Sequence, residues 1–216
     1  MTANVTATTS AAPRTAGFVH AAAWIAGIAA AWGATPEVGD SNAEIATAYA
    51  DHAPQAFAQA VLVHGLAPAA VAVIAVGLLG RARRVGGRAA RIAAGAGFAA
   101  AALAAVQLVL ELIAIPGADP ASPDTTATLW ETVQRVDGVK MFAFAALAVA
   151  TCLAAREQKW LRRWELAVGW ALAAAIVLSG IGYVLLFAAL APLAFLSLPL
   201  LLVWIVVLGT ALGRRS

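Results

Sequence analysis

Apolar residues gather in six long runs, at 16–35, 56–80, 92–115, 139–155, 166–190 and 192–212, and polar residues collect between them. A helix rises about 1.5 Å per residue and the hydrocarbon core of a bilayer is about 30 Å thick, so each run crosses or nearly crosses. Inside lipid the backbone must satisfy its hydrogen bonds within the segment, which selects helices. The pattern predicts an all-α, polytopic membrane bundle of six transmembrane helices. No charge separates the last two runs. As one helix they would extend about 70 Å, more than twice the hydrocarbon thickness. The chain must reverse there, and Ala191-Pro192 is the expected corner because proline has no N–H to continue a helix.

The polar stretches carry their own signals. Residues 1–15 are rich in Thr and Ala and read as a disordered tail ahead of a single domain over 16–212, with a basic end at 213–216. Ser41 and Glu44 have capping-box spacing, so a short helix over 42–52 is expected, stopped before Pro54. Ile45 and Tyr49 would rest on the membrane interface while Glu44 and Asp51 face water. After the third run, Pro116 to Pro123 keep the chain irregular, and a helix is expected from near Asp124, bent at Gly138 into the fourth span. Glu131 and Arg135 are four apart and can pair. Trp130, Trp160 and Trp164 are placed at headgroup level, where aromatic rings collect. The pairs Gly95 and Gly97, Gly180 and Gly182 permit close helix packing. No internal repeat is visible, so an inverted-repeat transporter is not supported.

Charge orients the map. Of fourteen Lys and Arg residues, all but Arg135 and Lys140 lie before the first run, after the second, after the fourth or at the end of the chain. Glu37, Asp40, Glu44, Asp51, Asp119, Asp124, Glu131 and Asp137 occupy the other connections. By the positive-inside rule both termini are cytoplasmic and the span count is even. The chain is 62% hydrophobic and 12% charged, too little charge to cover a soluble domain, so its basic character marks topology and not nucleic-acid binding. The cluster Arg81, Arg83, Arg84, Arg88 and Arg91 is dense enough to attract anionic lipid or an acidic protein partner, although topology marking alone explains it. The single cysteine, Cys152, excludes an internal disulfide and thiolate metal or CxxC redox chemistry. The first run is longer than a signal core and has only Arg14 ahead of it, so it reads as an uncleaved span.

Three segments resemble a known group. The stretch from Asn42 through Glu44 and Tyr49 to His52, the Arg/Gly-rich connection at 81–91, and Lys159-Trp-Leu-Arg-Arg-Trp-Glu165 are similar to six-span membrane proteins of a domain of unknown function common in high-GC bacteria. The resemblance covers about residues 16–190 and rests on spacing and composition. It implies a compact helical membrane domain and brings no catalytic residues with it.

Polar groups within spans are costly and are the natural functional candidates. His64, Gln107, Glu111 and Tyr183 all fall in the outer halves of their runs. Gln107 and Glu111 share a helix face, and Pro68 deprives the His64 carbonyl of its usual donor. These four either line one outward-facing polar pocket or are separate groups satisfied locally, Glu111 by headgroups or by Lys140. A haem between His20 and His64 is disfavoured by a depth gap near 10 Å. Glu44, Asp51 and His52 match no strong metal spacing and read as a solvated acidic face. Ser179-Gly180 lacks the preceding glycine and the residue order of an intramembrane serine protease, and Lys140 and Lys159 are misplaced for a retinal Schiff base. No cofactor, metal or catalytic residue is therefore expected. The expectation is a non-enzymatic membrane sensor, regulator or accessory component of the cytoplasmic membrane, with a small-molecule or proton-coupled carrier as the alternative.

Overall fold

The computed structural model describes residues 11–214 and is all-helical over them. Its seven helices are α1 (Ala11–Ala30), α2 (Asn42–Asp51), α3 (Ala53–Val85), α4 (Arg88–Ala114), α5 (Pro123–Gln158), α6 (Arg163–Leu185) and α7 (Ala194–Gly213). Five of them, α3 to α7, are long and apolar enough to cross a membrane. Helix α1 is also 20 residues long but is not among those five, since Pro13, Arg14 and His20 dilute its apolar character.

Each long helix packs beside the next in sequence, and α7 returns onto α1, which also lies along α3. The circuit is closed. Its middle is filled by Val71, Ile74, Leu147, Leu172, Ile176 and Trp204, all 2% exposed or less. Small residues set the approach of the helices. A Cβ built at Gly138 on α5 would fall 2.6 Å from the Gly180 carbonyl oxygen of α6, and one at Gly209 on α7 would fall 2.3 Å from that of Pro13 on α1. Side chains at either place would force the helices apart.

Several element boundaries differ from the expected ones. Helix α1 begins at Ala11, so the expected tail over 1–15 is helical in its last part; residues 1–10, with Arg215 and Ser216 of the basic end, lie outside the described residues. Helix α5 runs unbroken from Pro123 to Gln158, and at Gly138 it packs closely on α6. The final reversal is longer than a single corner: α6 ends at Leu185, Leu186 takes φ +50°, and the expected Ala191-Pro192 falls in a 3-10 turn over Ala191–Leu193 that leads into α7 at Ala194. Gly95 meets nothing within 4 Å, whereas a Cβ on Gly97 would press on Ala75 at 3.0 Å.

Helix α2 forms where the capping signal placed it. Ser41 Oγ accepts from the Glu44 backbone N–H, while the Glu44 carboxylate accepts from the Ser41 backbone N–H and from the Ser41 hydroxyl, each at 2.7 Å; the two bonds to the carboxylate hold it below the usual carboxylate range. Glu44 and Asp51 are exposed as expected, but Ile45 and Tyr49 are not on an interface. They are 1% and 3% exposed because α2 lies over the end of the bundle, against α5, in an apolar cluster that also takes in Trp130 and Ile115. Trp130 and Trp160 are likewise buried, the latter beneath the Arg81 guanidinium at 4.6 Å, and Trp164 alone of the three is exposed.

Candidate functional site

His64 lies where α3 departs from regular α geometry. Residues Ala60–Leu66 form a π turn, closed where the N–H of Ala67 donates to the carbonyl of Leu62. Pro68 supplies the reason: it offers no N–H to the carbonyl of His64, and its ring crowds that carbonyl, so the preceding turn widens. The π turn sits beside α1 and α4.

From this turn His64 Nδ1 donates to Glu111 Oε2 of α4 over 2.5 Å, with both side chains about nine-tenths buried. Glu111 therefore pairs with His64 and not with Lys140 or with headgroups. One turn deeper on α4, Gln107 is fully buried, and all its bonds go to α5. Its Nε2 donates to Asp137 Oδ1 at 2.9 Å and to the Val133 carbonyl at 3.1 Å, while its Oε1 accepts from Lys140 Nζ at 2.6 Å. Lys140 is also 2.5 Å from Asp137 Oδ1. Charges withdrawn from water this far must be paired and hydrogen-bonded, and here each one is.

A cavity of about 200 Å³ opens against these groups. His64, Gln107, Glu111 and Tyr183, the four residues singled out in the sequence, all line it, and Asp137 joins them. Tyr49 of α2 also lines it; burial, and then the Glu111 carboxylate, push its phenol up. A second, mostly apolar cavity of about 110 Å³ lies between α5, α6 and α7 and shares Trp24, Asp137 and Tyr183 with the first.

Sequence reasoning placed Asp137 and Lys140 in or beside a connection, because two charges so close together look like a span boundary. Their i, i+3 spacing is the sign that could have corrected this, since it puts carboxylate and ammonium on one helix face. The Pro123 helix start also implies that both lie well inside α5.

The other candidates separate from this site. His20 is 1% exposed and donates from Nδ1 to the Ala67 carbonyl at 3.0 Å, with Phe144 edge-on at 6.5 Å. His64 is engaged elsewhere by Glu111, so the two histidines do not face each other across an open gap. Among the described residues no three His, Cys, Asp or Glu side chains come together as metal ligands. Comparison with known protein families, with characterised proteins and with solved structures gave no match.

Proposed function

We propose that this chain is a six-span protein of the cytoplasmic membrane, with both ends inside, that acts without catalysis as a sensor, regulator or accessory component. Its ligand element is the polar cavity, which on this map opens to the outer face. The observation that carries the reading is the convergence of His64, Gln107, Glu111 and Tyr183, from three helices distant in sequence, on one cavity. Buried polar groups that merely satisfied one another would leave no space among them, and here they border a void. The resemblance to six-span bacterial proteins belongs to this reading, as does contact of Arg83, Arg84, Arg88 and Arg91, all exposed, with anionic lipid.

Helix α1 is the sixth crossing in this proposal. The support is that α1 runs alongside α3 from Pro13, near Gly77, to Gly27, near Val63. It thus shares the depth of a helix that is apolar enough to span.

A carrier is the second reading, favoured by the His64–Glu111 pair, an imidazole bonded to a carboxylic group within a span. Two measurements test the proposal. In a Cys152→Ser background, Gln134→Cys on the cavity wall should react with a membrane-impermeant thiol reagent from the outer side only. His64→Ala and Glu111→Gln proteins should fold yet lose ligand response together. A cavity closed to the reagent, or unrelated effects of the two variants, overturns the pocket. Solute uptake into proteoliposomes decides for the carrier over the sensor.

A further inference from the structure

The cavity wall has a distinctive chemistry. Four aromatic side chains, Trp24, Tyr49, Trp130 and Tyr183, surround it together with the carboxylates of Glu111 and Asp137. Ring faces are electron-rich, and several of them beside a carboxylate form the environment that recognises an organic cation. Lys140, the ammonium that pairs with Asp137, stands behind it and does not line the cavity. An anion would meet two carboxylates, and among the described residues no three His, Cys, Asp or Glu side chains come together to hold a bare metal ion. The second, mostly apolar cavity, with Phe144, Ile176 and Leu201 on its wall, shares Trp24, Asp137 and Tyr183 with this one. It is placed to receive the apolar body of a molecule whose charge sits among the rings.

We propose that this cavity binds a monovalent organic cation, an ammonium carrying an apolar body, and that binding displaces a proton from His64. The proposal rests on the cavity being a ligand site. The charge balance gives the coupling. Glu111 on α4, Asp137 on α5, Tyr49 on α2 and Tyr183 on α6 line the cavity with His64, and Lys140 stands behind Asp137; on α1 stand Trp24 and the buried His20, and Glu37, in the connection after α1, acts electrostatically on Tyr183. With neutral imidazole the pairs Glu111–His64 and Asp137–Lys140 hold one carboxylate in excess. That excess is cancelled either by a proton on His64 or by a cation in the cavity. The two therefore compete, and the proton that leaves Nδ1 or Nε2 of His64 passes through the cavity to solvent.

The test is calorimetry on the full chain in lipid nanodiscs, with benzyltrimethylammonium as probe and phenylacetate and benzyl alcohol as anionic and neutral controls. The cation should bind, more weakly as the pH falls, and heats in buffers of different ionisation enthalpy should report proton release. Glu111→Gln should weaken binding about tenfold, as should Trp24→Leu, whereas Trp24→Phe, which keeps a ring face, retains most of it. His64→Gln should still bind the cation but release no proton. Unliganded melting of each variant verifies that it folds, and Trp24→Phe against Trp24→Leu separates ring chemistry from packing. Absence of cation binding, equal binding of phenylacetate, or indifference to Trp24→Leu and Glu111→Gln overturns the inference. If benzyl alcohol or phenylacetate binds and the cation does not, cation selectivity fails while the ligand cavity stands. If Gln134→Cys is also unreactive, both fall.

Discussion

At the scale of single residues, the site is a problem in buried charge. Lys140 and Asp137 are 5% and 13% exposed in their side chains, and their pairing offsets a desolvation cost neither could bear alone. Lys140→Met should therefore destabilise the protein by about 3–5 kcal/mol, because it strands the Asp137 carboxylate. The double variant with Asp137→Asn should recover a large part of that loss, since it strands no charge, only the Gln107 Oε1 acceptor. Thermal unfolding of the two proteins in the same nanodiscs is the comparison; a double variant no more stable than Lys140→Met would show that a stranded carboxylate is not the source of the loss. This is also the scale at which the sequence was least readable. His64 and Glu111 stood out as isolated polar residues in apolar runs. Their direct bond was not foreseen, since it depends on the rotation of α3 relative to α4 and on the widened turn before Pro68. Asp137 and Lys140 were hidden by their own charge, which imitates a loop.

At the scale of elements, boundaries set by capping chemistry were legible and those set by packing were not. Ser41 and Glu44 announce the start of α2 through bonds that need only local spacing, and the structure makes both. Ser41→Ala should cost α2 about 1 kcal/mol, read as faster amide exchange over 42–51. The Glu44 carboxyl is held below its usual range, so its contribution is full above that range and disappears as pH falls through the lowered value. The protection of the α2 amides, measured against their intrinsic exchange rates at each pH, should fall on acidification in the native chain and stay flat in Glu44→Gln. No such local signal told that Ile45 and Tyr49 would bury against α5 and not on lipid, because that face is apolar in either case. The same holds for Gly138. Read along the chain it looks like a hinge, yet its role comes from Gly180 on another helix, 42 positions away in sequence numbering. Gly138→Ala should push α5 off α6 at a cost of about 1–3 kcal/mol, visible as a lowered melting temperature. An unchanged melting point would mean the helices part at no cost.

For the molecule as a whole, the question is whether the circuit of helices makes five crossings or six. Hydropathy nominates five, and the arginine distribution asks for an even number, so α1 decides. Its contacts are informative because they fix its ends against helices that are unambiguously apolar. Gly17 lies against Ile205 and Val206, and Gly209 against Pro13, so α1 starts at the level where α7 finishes. At its other end Gly27 meets Val63 of α3. A helix of 20 residues covers about 30 Å, the thickness of the hydrocarbon core, between those two levels. Arg14 stands in its first turn, and the polar residue further in, His20, is buried against α3 and does not face lipid, so its cost is met within the protein. Reporters fused before α1 and after α7 should thus appear on the same side as insertions at Gly87 and Lys159, and opposite to insertions at Gly39 and Ala121. If instead the reporter ahead of α1 lies with Gly39, α1 hugs the bundle without crossing, and the cavity would lose the wall that Trp24 provides. Deleting α1 then serves as an independent check: a sixth crossing that closes the circuit between α3 and α7 should be needed for a folded protein, whereas a peripheral helix should be dispensable to it.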